Sequence, residues 1–377
     1  MIDPADSSKL EHARERAALG YMPQLDGLRA LAVIAVWLQH WGFPPVRASR
    51  FLAQIEPGAM GVWLFFVLSG FLITRILLQS RAEIRNAGTT TFHAAKIFYA
   101  RRFLRILPIY YLTLFIASLL LPEVRDVFWW HFTYNTNFWA VLHPWQYPAG
   151  THFWSLAVEE QFYLVWPWII LLVPSRYLLR TIIGVVAIGV MFRFGCSLMP
   201  LGHRGTPAYA LLPGCADKLG MGALLAFCWD QTCGIQLARR KDLFFRSGLW
   251  LGLPGVVALI TLRAYRPESR IALVFLSFSA ALFFMWVIGS AARRFRGPVG
   301  AFLEWLPVRY LGKISYGLYL FHYLVPQTLA RFHVPQPRSW ALRFAFFSAV
   351  TIAIASLSWY AFERPINGLK RFFAYPA

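Results

Sequence analysis

Apolar stretches of about 20 residues recur along the whole sequence, and this pattern constrains the fold more than any other feature. A helix of about 20 apolar residues crosses the hydrocarbon layer of a bilayer. Backbone polar groups in lipid must bond within the segment, and these stretches lack the alternation of barrel strands. The sequence therefore predicts an all-α, polytopic membrane bundle of about ten transmembrane helices. The predicted spans are 27–46, 59–79, 103–121, 152–173, 178–199, 208–228, 248–265, 271–291, 308–329 and 341–362.

The composition excludes an ordinary water-soluble domain. Of the 377 residues, 58% are hydrophobic and only 14% are charged. Soluble domains carry about 25% charged residues. A single core in water stops growing near about 250–300 residues. A chain this long and this apolar is expected to use the lipid bilayer as its solvent.

The formal charge of +20 is distributed in a way that predicts orientation. With the N-terminus taken as cytoplasmic, the inner segments hold 23 Lys and Arg and the outer segments hold nine. The positive-inside rule therefore favours cytoplasmic placement of both termini. Because the basic residues lie between apolar blocks, they indicate a membrane topology, and nucleic-acid binding is excluded as a function class.

The domain organisation is predicted to be simple. Residues 1–26 form a cytoplasmic N-terminal segment without the apolar core of a signal peptide, 27–362 form the ten-span domain, and 363–377 form a short cytoplasmic tail. The aromatic-rich loop 122–151 is expected to fold as a short helix on the outer leaflet. The four cysteines form no CxxC pair, so neither a metal site nor a disulfide framework is expected.

The first predicted span carries three ionisable residues, which are expensive in hydrocarbon. Asp26 and Arg29 are three residues apart and share a helical face. His40 lies eleven residues beyond Arg29, about 16 Å further along a helix and on nearly the same face. The sequence allows two interpretations of His40, a histidine that only packs and forms hydrogen bonds or a histidine with a functional role.

Two further groups stand at opposite ends of the predicted membrane layer. Three arginines, Arg101, Arg102 and Arg105, begin the third span, where they are either phosphate ligands or positive-inside anchors. Glu159 and Glu160 lie about 10 Å inside the fourth span from its outer end. Adjacent carboxylates at that depth are hard to explain by packing, so a functional role is favoured.

Other polar residues in the spans are assigned structural or uncertain roles. Asp217 with Lys218 is interpreted as a structural pair, and Glu363 as an interfacial cap. The structural or uncertain set is Asp26, Asp217, Ser315, Tyr316, His322 and Glu363.

Seven motifs occur along the chain in a fixed order. They are LDGLRALAVIAVWLQH at 25–40, GVWLFFVLSGFLIT at 61–74, ARRFLRILPIYYL at 100–112, FWSLAVEEQFYLVWP at 153–167, ADKLGMGALLA at 216–226, LGKISYGLYLFH at 311–322 and FERP at 362–365. Together they resemble the acyltransferase 3 family of integral membrane acyltransferases. The resemblance implies a ten-span enzyme of the bacterial inner membrane that moves acetyl or other acyl groups from cytoplasmic acyl-CoA to a hydroxyl, with acyl-CoA as co-substrate and no metal.

The resemblance also implies roles for residues. It assigns catalysis to His40, Glu159, Glu160 and Arg29, and the acyl-CoA contact to the three arginines at 101, 102 and 105. We expect His40 to act as general base, with Glu159 or Glu160 orienting its ring and Arg29 steadying the thioester or the oxyanion. Direct transfer is preferred over an acyl-enzyme on His40 or Ser315.

Two departures from the family pattern bear on these expectations. Cys215 stands where many members carry an arginine two residues before the aspartate, so an Arg–Asp pair within that motif is not expected. The sequence ends fifteen residues after 362, so no appended extracytoplasmic hydrolase-like domain is expected. Exopolysaccharide, lipid-linked glycan and small-molecule acceptors such as macrolides are therefore favoured over peptidoglycan.

Two other function classes remain open from the sequence. Buried charges also suit a transporter or flippase, although neither internal repeats nor matching broken spans are found. A non-catalytic scaffold leaves the buried His40 and the paired glutamates unexplained. The acceptor, the acyl chain length and the oligomeric state are not determined by the sequence.

Overall fold

The described part of the protein is helical throughout. The structure is a computed structural model that describes residues 20–42, 51, 54–143, 149–200, 205–229 and 245–373. Of these residues, 86% lie in helices and none in a strand, which confirms the predicted all-α class for this part of the chain. Most of the predicted N-terminal segment, residues 1–19, lies outside the described residues, as does Cys233.

The helices are numbered in chain order. The first half contains α1 (Pro23–His40), α2 (Pro57–Ala87), α3 (Thr91–Leu120), α4 (Pro122–Asp126), α5 (Phe128–Phe132), α6 (Thr136–Leu142), α7 (Trp154–Leu172) and α8 (Ser175–Ser197). The second half contains α9 (Gly205–Ala210), α10 (Leu212–Trp229), α11 (Leu253–Tyr265), α12 (Arg270–Ala292), α13 (Gly297–Glu304), α14 (Leu306–Lys313), α15 (Ser315–Phe321), α16 (Leu324–Arg331), α17 (Trp340–Ser358) and α18 (Arg364–Gly368).

Seven helical segments among the described residues are long and apolar enough to cross a membrane. Each overlaps one of the ten predicted spans. Most ends differ by a few residues, but Thr91–Leu120 begins well before the predicted residue 103, and Trp340–Phe373 ends well after the predicted residue 362. These segments are Pro57–Asn86, Thr91–Leu120, Ser175–Ser197, Gly205–Trp229, Phe245–Tyr265, Arg270–Ala292 and Trp340–Phe373.

The other three predicted spans are the more polar ones. α1 has 18 residues and includes Asp26 and Arg29, while α7 has 19 residues and includes the two glutamates. The predicted span 308–329 is instead divided among α14, α15 and α16. At its second break, the ring of His322 bonds the carbonyl oxygen of Tyr319, which in an uninterrupted helix accepts from the N–H of residue 323.

The predicted outer loop forms more structure than one short helix. Residues 122–142 fold into α4, α5 and α6, and a 3₁₀ turn at Thr151–Phe153 leads directly into α7. Trp129 is 70% exposed, whereas Trp139 is buried. Only part of the aromatic set therefore faces outward.

α2 and α10 form the centre of the bundle. In their spans, 72% and 78% of the most apolar stretch is buried, against 17% for the spans that contain α11 and α17. Glycines bring the two central backbones into contact. A Cβ on Gly70 would lie 2.0 Å from the carbonyl oxygen of Leu219, and one on Gly222 would lie 2.0 Å from that of Val67. Small residues at a crossing permit this close approach.

The surface of the outer helices is apolar. Large hydrophobic side chains are exposed along α3, α7, α8, α11 and α17, among them Phe115, Leu164, Met191, Val257 and Leu357. In water such a surface would be an association liability. In a bilayer it is the expected lipid-facing surface.

Candidate active site

A cavity opens where the three polar segments meet α2 and α3. Its empty space is about 840 Å³, a figure that includes the open mouth. Its wall comes from α1, α2, α3, α7 and α15. The polar side chains on it are Arg29, Ser69, Arg102, Arg105, Ser155, Glu159, Glu160, Tyr163, Ser315, Tyr316 and Tyr319. Three of the five helices in this wall, α1, α7 and α15, therefore come from the more polar predicted spans.

Three arginines give one side of the cavity a positive character. Among the described residues, Arg29 has a single ion pair, to Asp26 at 3.6 Å. Arg102 lies over the rings of Tyr163 and Phe98, at 5.3 and 5.8 Å from their centres. Within the same part of the chain, Arg105 forms neither an ion pair nor a hydrogen bond. Such partly buried guanidinium groups are costly without anionic partners.

Asp26 belongs to a small cluster at the start of α1. It accepts a hydrogen bond from the hydroxyl of Tyr21 at 2.7 Å, and Tyr21 in turn accepts one from Arg309 at 3.2 Å. Burial raises the pKa of Tyr21, and the hydrogen bond to Asp26 acts in the same direction. The hydroxyl therefore stays protonated as a donor, and Asp26 is shared between Tyr21 and Arg29.

The third predicted arginine lies elsewhere. Arg101 does not line the cavity, and its Nη1 donates to the carbonyl oxygens of Lys370 and Phe373, at 3.3 and 2.9 Å. Arg102 and Arg105 are three residues apart and share the cavity face of α3. Arg101 is rotated by about 100° from Arg102 around the helix, toward the C-terminal segment. The structure therefore brings Arg102 and Arg105 together at the cavity and places Arg101 apart from them.

The two glutamates line the cavity in different ways. Glu159 accepts a hydrogen bond from the hydroxyl of Ser69 at 2.7 Å, and Ser69 accepts one from Tyr163 at 3.2 Å. Glu160 forms no hydrogen bond or ion pair with any residue that the structure describes. The cavity thus holds one carboxylate that is fixed by a hydrogen bond and one that has no such bond among the described residues.

His40 lies at the opposite end of α1 from Arg29, in a cluster of histidines. Its Nδ1 is 2.8 Å from Nε2 of His322, and the two rings are stacked at 16°. The rings of His152 and Tyr323 pack on the same pair. As a whole residue His40 is exposed, and its Nε2 bonds to no described residue. His322 is fully buried.

The partner of His40 differs from the sequence prediction. We expected Glu159 or Glu160 to orient the ring, but Glu159 is bonded to Ser69, and His322 occupies the position next to Nδ1. The cluster joins the cavity through Tyr319, whose hydroxyl is 2.5 Å from that of Ser155 and whose ring packs on His322.

Two residues with uncertain sequence roles lie at the cavity. Ser315 and Tyr316 both line it from the start of α15. The hydroxyl of Tyr316 donates to the carbonyl oxygen of Ile106 at 3.4 Å, which links α15 to α3. Sequence reasoning missed Ser69, Ser155 and Tyr319; their only signal was that they are polar residues inside apolar motifs.

Asp217 lies away from the cavity, in a buried ion cluster. Arg193 on α8 forms two hydrogen bonds to its carboxylate, at 2.8 and 2.7 Å, and Lys218 forms one at 2.9 Å. Asp217 therefore does have an arginine partner, although it comes from another helix and not from position 215. Arg193 also donates to the carbonyl oxygen of Val274 on α12. The cluster fastens three helices together.

Glu363, which was interpreted from the sequence as an interfacial cap, is buried. It lies in a π-helical turn between α17 and α18, and its carboxylate accepts a hydrogen bond from Ser358 at 2.8 Å. No cluster of metal-ligating side chains is found in the described ranges.

Comparison with known proteins gives one family match. The sequence model described as "Acyltransferase domain" matches residues 22–360. The chain is 30% identical to the peptidoglycan O-acetyltransferase OatA of Listeria monocytogenes, with 94% of this chain and 57% of that protein covered. It is 29% identical to the putative peptidoglycan O-acetyltransferase YrhL of Bacillus subtilis, covering 92% and 55%, and 27% identical to the O-acetyltransferase OatA of Staphylococcus aureus, covering 100% and 62%. The chain thus spans between half and two thirds of these relatives' lengths. No solved structure matches.

Proposed function

The chain belongs to the acyltransferase 3 family, and from this premise we propose that it is a membrane-embedded O-acyltransferase. It moves an acetyl or other short acyl group from acyl-CoA to a hydroxyl of a cell-surface or lipid-linked glycan. The observation that carries the proposal is the cavity in which Arg29, Arg102 and Arg105 converge with few carboxylate partners.

The arginines suit the phosphates of coenzyme A. Guanidinium groups bind phosphate through two parallel hydrogen bonds and remain charged in partly buried sites. A bound phosphate supplies the ion-pair partner that Arg105 lacks among the described residues. We assign Arg29, Arg102 and Arg105 to this contact, and Arg101 to the attachment of the C-terminal segment.

The length of α1 suits the reach of the donor. Arg29 and His40 lie eleven residues apart on one continuous helix, which corresponds to about 16 Å. A pantetheine arm spans roughly 15–20 Å from bond geometry. Phosphates held at the arginines would therefore bring the thioester near the histidine cluster, where an acceptor hydroxyl enters from the exposed side of His40.

His40 is proposed as the general base. Its Nε2 takes the proton of the acceptor hydroxyl as the oxygen attacks the thioester carbonyl. The C–O bond forms, the C–S bond breaks, and the protonated ring returns its proton to the coenzyme A thiolate. Arg29 lies about 16 Å from His40, so we assign it to the phosphates and not to the oxyanion; Glu159 and Glu160 line the cavity beside the arginines.

The names of the relatives make peptidoglycan a candidate acceptor again, although the sequence favoured other acceptors. Two of the relatives are named as peptidoglycan O-acetyltransferases, one of them putatively. We propose a cell-wall or other surface glycan as the first acceptor to test, and a small molecule such as a macrolide as the second. Family membership favours a transferase over a transporter.

The topology completes the proposal. The chain crosses the bacterial inner membrane ten times, with the 27–362 acyltransferase domain in the bilayer and the segments 1–26 and 363–377 in the cytoplasm. The arginine end of the cavity then faces the cytoplasmic acyl-CoA pool. The His40 end faces the outside, where surface glycans are modified.

The test uses protein in nanodiscs with radiolabelled acetyl-CoA and oligosaccharides of N-acetylglucosamine as acceptor. Wild type is expected to transfer label, and His40→Ala is expected to lose transfer while still binding acetyl-CoA. His93→Ala is the matched control, because His93 is exposed at the start of α3 and lies outside the cavity. Transfer by His40→Ala at the wild-type rate would remove the proposed base. If wild type neither bound nor consumed any acyl-CoA offered, the proposed function would fail.

A further inference from the structure

The histidine cluster contains a chain of two hydrogen bonds with a defined direction. His40 Nδ1 lies 2.8 Å from His322 Nε2, and His322 Nδ1 lies 2.5 Å from the carbonyl oxygen of Tyr319. Both contacts lie within hydrogen-bond distance. The chain starts at a backbone carbonyl inside the protein and ends at the ring of His40, an exposed residue.

The backbone carbonyl fixes the direction of the whole chain. A carbonyl oxygen only accepts, so His322 Nδ1 must carry a proton and donate it. In a neutral imidazole the other nitrogen is then an acceptor, so His322 Nε2 must receive its hydrogen bond from His40 Nδ1. By the same rule, Nε2 of a neutral His40 carries a lone pair.

A doubly protonated His322 would reverse the second step, but its surroundings oppose a charge. His322 is fully buried, and its neighbours are the rings of His40, His152, Tyr319 and Tyr323. Among the described residues, none of its contacts is a carboxylate. An unpaired imidazolium in this position would be strongly penalised.

We infer that His322 is a positioning residue that holds His40 in the Nδ1–H tautomer, so that the lone pair of Nε2 faces the acceptor hydroxyl. This inference rests on the proposed function for its catalytic meaning. It gives His322 the place that a carboxylate holds in a Ser–His–Asp triad, with a neutral ring instead of an anion. During transfer the acceptor's proton moves to His40 Nε2 and then to the thiolate, while His322 keeps its own proton.

The tautomer is measured directly by nitrogen NMR of protein labelled with ¹⁵N-histidine in lipid. Ring nitrogens with and without a proton differ strongly in chemical shift, and coupling to the Cδ2 proton identifies Nε2. The chain has nine histidines, so the His40→Gln spectrum identifies the lost pair of signals. We expect protonated Nδ1 and unprotonated Nε2 for His40. A proton on Nε2 of His40 would overturn the inference.

Kinetics of paired variants test the role. In His322→Gln the amide still accepts from His40 and donates to Tyr319, so kcat is expected to stay near wild type. His322→Phe keeps an aromatic ring but removes the acceptor. By analogy with residues that orient metal-binding histidines, kcat is expected to fall about 10–100-fold. The KM for acyl-CoA is expected to stay unchanged in both, because the arginines are untouched.

His152→Phe is the matched control. His152 is also buried and its ring packs on His322, but its Nε2 bonds the carbonyl oxygen of Leu320 and takes no part in the chain. Equal loss of kcat in the two phenylalanine variants would indicate packing alone and would overturn the inference. The two proposals can fail separately. If NMR shows the Nδ1–H tautomer of His40 but the protein transfers no acyl group, the proposed function is refuted and the hydrogen-bond direction is still supported.

Discussion

Neighbouring residues on one helix can have unrelated tasks, as the arginines of α3 illustrate. Arg102 and Arg105 line the cavity, whereas Arg101 bonds two carbonyl oxygens of the C-terminal segment. The motif places three equivalent charges within five positions. Only the packing partners of α3 decide which of them meets a ligand.

The first prediction separates the two kinds of arginine. Arg105→Ala is expected to raise the KM for acyl-CoA about 10–100-fold, since a hydrogen bond to a charged group contributes about 1.5–3 kcal/mol and about 1.4 kcal/mol is tenfold. Arg101→Ala is expected to leave that KM unchanged and to lower the melting temperature, because two carbonyl contacts are lost. Steady-state kinetics and thermal unfolding in detergent measure both. A raised KM in Arg101→Ala with a normal KM in Arg105→Ala would reverse the assignment.

At the scale of elements, the central helices depend on close backbone contact. α2 and α10 approach through Gly70 and Gly222, where a side-chain carbon has no space. In lipid, helices gain little from hiding apolar surface, so packing of this kind holds them together. The cavity lies beside α2, and its shape therefore depends on this crossing.

The second prediction contrasts two glycines in spans. Gly70→Ala is expected to lower stability by about 1–3 kcal/mol, because the new methyl group forces α2 and α10 apart. Gly184→Ala in α8 is the control, since nothing lies within 4 Å of the position that its Cβ would take and alanine favours a helix by roughly 0.5–1 kcal/mol. Thermal unfolding of both variants is the measurement. Equal stability of Gly70→Ala and wild type would show that the helices can separate without cost.

At the scale of the whole molecule, the apolar segments and the more polar segments have different roles. The seven clearly apolar segments include the outer helices with lipid-facing side chains. α1, α7 and the divided helix from α14 to α16 contribute much of the polar cavity wall, and the three histidines of the cluster lie on these segments or directly beside them. On α7 the polar side chains line the cavity, while apolar side chains such as Leu164 are exposed.

The third prediction tests the ten crossings. Single cysteines are introduced into a chain whose four native cysteines are replaced by alanine. A membrane-impermeant thiol reagent is expected to label Glu123→Cys and Pro267→Cys in intact cells, and Arg176→Cys, Arg296→Cys and Arg371→Cys only after the membrane is opened. Labelling of position 371 from outside would contradict the cytoplasmic C-terminus, and reversed labelling at 176 and 296 would contradict the whole orientation.

The sequence by itself determined the class of molecule. The apolar length of each segment is a local property of the sequence. The helical class and seven helices long and apolar enough to cross a membrane could therefore be predicted directly. The motifs also determined the family, since their order needs no coordinates. Asp26 with Arg29, and Asp217 with Lys218, were predictable because each pair is close in sequence.

The tertiary structure decided which distant residues meet. His40 and His322 are 282 positions apart, and Arg193 and Asp217 lie on different helices, so no local spacing could pair them. The same holds for Arg101, whose partners lie at the far end of the chain. Polar groups in a membrane interior take their partners from whichever helices pack beside them. Helix packing therefore decided the partners of His40, Arg101 and Glu159, for which the sequence had predicted other contacts.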